Sequence, residues 1–67
     1  MKFGHVLKRY QLAAGVSAPE LARRLNIASQ QIYRWHKCSD AKLSVIRNIC
    51  IALDADEMEF IYEVLED

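Results

Sequence analysis

The sequence has 67 residues, of which 52% are hydrophobic, so it has room for one small domain over residues 1–67. Its nine basic and nine acidic residues cancel, and a single proline with two glycines argues against long loops or disorder. Two cysteines are too few for a disulfide scaffold and lack zinc-finger spacing, and no apolar run approaches the roughly 18 residues of a membrane span. We therefore expect a cytoplasmic protein that holds neither a metal ion nor a cofactor.

Helical periodicity predicts that the chain begins with two short helices. Apolar side chains recur every three or four positions over residues 2–14, and Gly15 follows as a natural helix stop. A second helix over residues 18–25 begins after Ser17, which forms a capping-box pattern with Glu20 three positions later. The connection between these two helices is therefore predicted to be tight.

Asn26 interrupts the helical pattern, because asparagine tolerates the left-handed backbone region better than most residues. Three further helices are predicted over residues 28–37, 42–53 and 56–66. No stretch shows sustained alternation with a period of two, so no strand is expected. The sequence therefore predicts a compact all-α fold of five helices.

The predicted third helix has a polar face opposite its apolar one. At 100° per residue, Ile32 and Trp35 point inward, and the opposite side carries hydroxyls, an amide and cations but no carboxylate. These polar residues are Ser29, Gln30, Tyr33, Arg34 and Lys37. Such groups suit DNA, since glutamine pairs with adenine, arginine pairs with guanine and cations bind phosphate. An ordinary solvated helix is the alternative, which explains the polarity but not the missing carboxylates.

Residues 18–37 resemble the helix-turn-helix of the phage repressor/Cro (XRE-type) family. The likeness rests on apolar and small residues at the helix crossing, a flexible turn, and an aliphatic then an aromatic residue in the third helix. These residues are Leu21, Ala22, Leu25, Asn26, Ile27, Ile32 and Trp35. The likeness extends in pattern over residues 2–54. It implies a lambda-repressor-like domain that binds double-stranded DNA.

The resemblance also implies which residues contact DNA. The family's base-reading positions are occupied here by Ala28, Ser29, Gln30, Tyr33 and Arg34. Contacts to the DNA backbone are expected from Ser17, Ala18, Gln31, Lys37, Lys42 and Arg47. Each phosphate that is neutralised releases counterions, so DNA binding is expected to weaken as salt rises.

Aromatic, cysteine and histidine side chains outside this face have ordinary structural explanations. Tyr10, Trp35 and Cys50 lie on apolar stripes, so we expect them in the core. His5 and His36 are expected to be solvated.

Charge is distributed unevenly along the chain. Residues 1–53 hold all nine basic residues and two acidic ones, whereas residues 54–67 hold seven acidic residues and no basic one. This asymmetry indicates a basic binding body and a separate acidic element. The apolar side chains of the last helix span about 200° of arc, more than one core contact needs. We therefore expect Phe60 and Val64 to pair with a second copy, the alternative being a wider core contact.

These patterns predict a sequence-specific transcriptional regulator that reads the major groove with residues 28–37 as a homodimer. The resemblance implies that it is a Cro-like prokaryotic or phage repressor. It would act in the cytoplasm of a bacterial or phage-infected cell. The acidic last helix and the neutral total charge favour an alternative, a protein-interaction module such as an antitoxin or an inhibitor of another regulator. No nucleophile–base–acid set or phosphate-binding glycine loop is visible, so no enzyme activity is expected.

Overall fold

A computed structural model describes residues 2–66 and shows helices joined by short turns, with no strand in that range. The five helices are α1 Lys2–Ala14, α2 Ala18–Leu25, α3 Ser29–Trp35, α4 Leu43–Leu53 and α5 Glu57–Glu66. The predicted all-α fold of five helices is therefore confirmed. α1 packs against α3 and α5, α2 packs against α3 and α4, and α4 also packs against α5. None of these helices is long and apolar enough to cross a membrane.

Short-range signals place the ends of α1 and α2 where the sequence predicts them. Gly15 follows α1 with φ 68°, in the left-handed region that favours glycine. Ser17 caps α2, since its Oγ accepts a hydrogen bond from the backbone N–H of Glu20 at 3.3 Å. Asn26 ends α2 with φ 58°, as its tolerance of the left-handed region predicts.

α3 is shorter than the predicted helix over residues 28–37. Ala28 is extended and makes no side-chain capping bond, so the helix begins at Ser29. After His36, the backbone N–H groups of Lys37 and Cys38 bond to carbonyls three residues earlier rather than four, which tightens the chain into a turn. α5 likewise begins after Asp56, whose carboxylate accepts hydrogen bonds from two backbone N–H groups of the first turn.

A continuous apolar core lies between α1 and the other helices. The ring centroids of Phe3 and Phe60 are 6.0 Å apart, and those of Tyr10 and Phe60 are 4.9 Å apart. Trp35 meets Phe3 edge-on at 6.4 Å. Tilted and edge-on arrangements of this kind are the ones aromatic rings prefer. The predicted core positions of Tyr10, Trp35 and Cys50 are confirmed, the first two half-buried and the cysteine buried.

The prediction that Phe60 and Val64 form a partner surface is wrong. Phe60 is fully buried and Val64 is 8% exposed, both within the core of one chain. The physical reason is that α5 packs against both α1 and α4, so that two neighbours share its wide apolar arc. The exposed apolar side chains of α5 are instead Met58, Tyr62 and Leu65, which are 62–71% exposed.

α1 and the chain that follows α3 come into backbone contact at Gly4. The Gly4 N–H donates to the carbonyl of Cys38 at 2.9 Å, and the Phe3 N–H donates to the carbonyl of Ser39 at 3.4 Å. These bonds satisfy two N–H groups that the start of a helix leaves without an intrahelical partner. A Cβ atom at Gly4 would overlap the backbone carbonyl of His36. Glycine therefore permits an approach that holds the C-terminal end of α3 on α1.

The acidic helix α5 is joined to the basic part of the chain by ion pairs. Arg9 Nη2 lies 2.8 Å from one carboxylate oxygen of Glu63, and the Tyr10 hydroxyl donates to the other oxygen at 2.8 Å. Arg47 Nε lies 3.5 Å from Glu57. The hydrogen bonds from Arg9 and Tyr10 lower the pKa of Glu63, and burial together with Glu63 raises the pKa of Tyr10. The predicted separation between a basic body and an acidic element is therefore wrong.

We expect the free energy of unfolding to decrease in acid. Hydrogen bonds from arginine side chains lower the pKa of both Glu63 and Glu20 below the ordinary value of 4.5 in the folded protein. The unfolded chain therefore binds protons first as the pH falls. Stability that is present above pH 4.5 is lost as the pH falls through the folded pKa values. Urea denaturation at several pH values between neutrality and about pH 3 measures this loss.

Two glutamine variants make this acid prediction specific. Glu63→Gln should be less stable than the wild type at neutral pH, yet lose less additional stability in acid, because the titrating carboxylate is gone. Glu66→Gln is the matched control on the same helix, since Glu66 is exposed and has no ion pair within residues 2–66. Indistinguishable acid profiles for Glu63→Gln and the wild type would contradict the assigned role of Glu63.

Candidate nucleic-acid interface

A tight turn joins α2 to α3 and sets the direction of α3. Asn26 turns the chain in the left-handed region, and the N–H of Ile27 then bonds to the carbonyl of Ala22 at 3.0 Å. The inward side of α3 is anchored by Ile32, which is fully buried against the apolar residues of α2 that include Leu21. These contacts leave the other side of α3 facing outward. The helix-turn-helix predicted over residues 18–37 is therefore formed by α2 and α3.

The outward side of α3 carries most of the predicted base-reading residues. A shallow open depression on the surface is lined by Gln30, Tyr33, Arg34 and Lys37. All four side chains are exposed, and Tyr33 is 51% exposed. Ala28 is also exposed just before the helix, whereas Ser29 is half-buried. The structure thus brings together on one face the groups that can donate to base edges and bind phosphate; their contact with bases stays a prediction.

The residues of α2 that are predicted to contact the DNA backbone lie at its N-terminus. The hydroxyl oxygen of Ser17 is engaged as the helix cap, although the residue is exposed. The side chain of Ala18 is buried, so only its backbone could reach a phosphate. Pro19 has no N–H and the Glu20 N–H already bonds to Ser17, so this N-terminus offers an anion the Ala18 N–H and the positive end of the helix dipole.

The other residues predicted to contact the DNA backbone do not lie together. Gln31 is half-buried in α3, whereas Lys37 is exposed beside the depression. Lys42 is exposed at the start of α4. Arg47 is exposed farther along α4 and pairs with Glu57, so part of its charge is already compensated. Of these four residues, only Lys37 lines the depression on the α3 face.

Two cations, Arg34 on α3 and Lys37 just after it, stay uncompensated on the outward side of α3 although the chain is neutral overall. Glu20 binds Arg23 at 2.6 Å and Arg24 at 3.0 Å, so these cations of α2 are compensated within the chain. Four further acidic residues lie on α5, where two of them pair with cations of α1 and α4, and Asp40, Asp54 and Asp56 lie in the connections. In residues 2–66, no ion pair involves Arg34 or Lys37, and α3 contains no carboxylate. The α3 face therefore keeps a net positive charge.

The sequence reasoning missed a polar pair behind this face. His36 was expected to be solvated, but it is half-buried and its Nε2 lies 2.7 Å from Oε1 of Gln11. Burial, with the nearby charge of Lys8, lowers the pKa of His36. Gln11 itself is 6% exposed. Its position four residues after Leu7, on the apolar stripe of α1, is the sequence signal that could have identified it.

α2 and α3 are adjacent helices joined by a tight turn, α1 braces them, and α3 carries an exposed cationic face. These features define a helix-turn-helix protein of the DNA-binding type. A family model described as the homeodomain-like domain matches residues 4–44, from α1 to the first turn of α4. The match covers more than half of the chain. The protein therefore belongs to the homeodomain-like helix-turn-helix family. No curated protein matches the chain.

Proposed function

We propose that this protein is a sequence-specific transcriptional regulator that places α3 in the major groove of DNA. The observation that carries the proposal is the outward face of α3. It groups an amide, a phenol and two cations around one open depression, without a carboxylate on the helix and without an ion pair to Arg34 or Lys37 in residues 2–66. A helix with such a face matches the donors and acceptors of base edges.

The roles of the individual side chains follow from their chemistry. Arg34 can donate two hydrogen bonds to one guanine, and Gln30 can pair with adenine. Tyr33 lies beside them and offers a ring and a hydroxyl, and Lys37 provides charge for a phosphate. The Ala18 N–H and the positive dipole end at the start of α2 would hold a second phosphate. Phosphate contacts then fix the register of α3, while base contacts determine the preferred sequence.

The finer identity that we propose is a Cro-like repressor of a prokaryote or phage, acting in the cytoplasm. Support comes from the architecture beyond the helix-turn-helix, since α4 packs on α1 and α2 and contributes to the same core. The resemblance of this chain to the phage repressor/Cro family covers residues 2–54 in pattern, so it too extends beyond the helix-turn-helix and includes α4.

Selection of bound sequences from a random duplex library at about 100 mM salt tests this function. We expect one enriched motif, because base contacts from α3 discriminate among sequences by several kcal/mol in total. Absence of enrichment at every salt concentration would contradict DNA reading. That result would favour the alternative, a protein-interaction module such as an antitoxin or an inhibitor of another regulator.

We also propose that a second copy of the chain covers the exposed side of α5. Met58, Tyr62 and Leu65 follow one another at helical spacing and are all exposed. Glu57 and Glu63 are already paired with arginines of their own chain, which reduces repulsion between two copies of this acidic helix. A symmetric dimer would present two α3 helices to two half-sites about one DNA turn apart.

The mass in solution at tens of micromolar, measured by light scattering, tests the dimer. We expect twice the chain mass for the wild type and a monomer for Tyr62→Glu, which places a charge in the middle of the proposed contact. Leu12→Glu is the matched control, because Leu12 is also a large exposed hydrophobic residue but lies on α1. A monomeric wild type would contradict the dimer and leave the α3 proposal in place.

A further inference from the structure

We infer that the hydrogen-bonded pair of buried Gln11 and half-buried His36 positions the ring of Tyr33 on the outward side of α3, so that α1 contributes to DNA reading without touching DNA. The inference rests on the proposed function insofar as Tyr33 contacts DNA. It assigns Gln11 and His36 as positioning residues, each acting through its neighbour.

The first step is that Gln11 is held in one orientation. Its side-chain Nε2 donates to the backbone carbonyl of Val16 at 3.2 Å, and the Val16 N–H donates to the backbone carbonyl of Gln11 at 2.9 Å. An amide nitrogen can only donate, so Oε1 is the atom left to face His36. Because Gln11 is only 6% exposed, water can hardly replace these hydrogen bonds.

The second step is that Gln11 determines how the imidazole of His36 is held. The amide Oε1 can only accept, so Nε2 of His36 must carry the proton of the 2.7 Å hydrogen bond. The backbone on both sides of this ring is also fixed. The His36 N–H bonds to the carbonyl of Ile32 at 3.0 Å, and the His36 carbonyl lies against Gly4 of α1. The ring therefore has a defined plane and tautomer.

The third step is the contact between His36 and Tyr33. Their ring centroids are 6.0 Å apart with an interplanar angle of 80°, which is an edge-on arrangement. Tyr33 is half-exposed, and outside this contact its ring would exchange between rotamers in solvent. A side chain that is ordered before binding loses less entropy when it meets a partner. The fixed imidazole thus orders the Tyr33 ring before it contacts DNA.

The first experiment needs no DNA. We expect NMR three-bond couplings to show one dominant χ1 rotamer for Tyr33 in the wild type and rotamer averaging in His36→Gln. The glutamine introduced at position 36 still provides an N–H donor to Gln11, whereas the imidazole ring is gone. The fold is therefore kept and only the contact with Tyr33 is lost. Tyr10→Phe is the control, because it loses a hydrogen bond to Glu63 at the α1–α5 contact instead. Equal averaging of Tyr33 in the wild type and His36→Gln would overturn the inference.

The second experiment is a double-mutant cycle with the duplex enriched in the selection. We expect His36→Gln to weaken binding by about three- to tenfold in the wild-type background but to have almost no effect in Tyr33→Ala. A purely structural role would lower affinity equally in both backgrounds, and that additive result would overturn the inference. If the wild type binds no duplex, the proposed function fails, and the couplings of Tyr33 decide the positioning role independently.

Discussion

Replacement of Gly4 by alanine is expected to lower the free energy of unfolding by about 3 kcal/mol, a large part of the roughly 3–10 kcal/mol typical of a chain of this length. The added Cβ would overlap the backbone carbonyl of His36 and lie 3.0 Å from the carbonyl oxygen of Trp35. These are backbone atoms, so no side-chain rotation can relieve the overlap. α1 would have to move away, which breaks the hydrogen bond from Gly4 to Cys38.

The direction of this effect makes the prediction specific. In an exposed helix interior, the same substitution stabilises by about 1 kcal/mol, because alanine has the higher helix propensity. Gly15→Ala is the comparison variant, since no atom lies within 4 Å of its Cβ position but its φ of 68° is unfavourable for alanine. We expect that variant to lose about 1 kcal/mol. Urea denaturation followed by circular dichroism measures both, and a Gly4→Ala protein as stable as the wild type would contradict the close approach of α1 to α3.

Arg34→Ala is expected to weaken binding to the selected duplex by about 1–3 kcal/mol and to relax the preference at one base pair. The guanidinium is exposed on α3, lines the depression and has no ion pair in the described part of the chain. Its loss therefore removes a donor to DNA without breaking an ion pair of the fold. Binding measured against the selected duplex and against duplexes changed at single positions reports both affinity and preference.

Lys37→Ala provides the matched control for this experiment. It removes the same charge from the same depression, but a lysine that binds phosphate carries no sequence information. We expect weaker binding to all duplexes alike and a smaller dependence on salt, with the base preference unchanged. Gln30→Ala should relax the preference at a different base pair. If both Arg34→Ala and Gln30→Ala leave the preference intact, the assignment of α3 as the reading helix is wrong.

Much of the fold follows from interactions between residues close together in the chain. The stripe of apolar residues in α1 depends on helical spacing alone. Ser17 with Glu20 starts α2, and Asn26 ends it, through bonds and backbone preferences that span only a few residues. The outward polar face of α3 could be predicted for the same reason, because the buried position of Ile32 determines which residues point away from the core.

Contacts between residues far apart in the chain account for what sequence reasoning missed. Periodicity shows how wide the apolar arc of α5 is, but not that α1 and α4 cover the part holding Phe60 and Val64. Similarly, the pair between Gln11 and His36 joins residues 25 positions apart, and its burial depends on the approach of α1 to α3 at Gly4.

Residue spacing and local backbone preference were therefore enough to predict the five helices, the tight turn between α2 and α3, and the cationic face of α3. Packing between helices that are distant in the chain, in contrast, sets which side of α5 is exposed, how α1 braces the end of α3, and which cations compensate the acidic residues of α5. The ion pair from Arg9 to Glu63 spans 54 residues of sequence. Such a pair depends on the relative placement of packed helices, and helical periodicity contains no information about that placement.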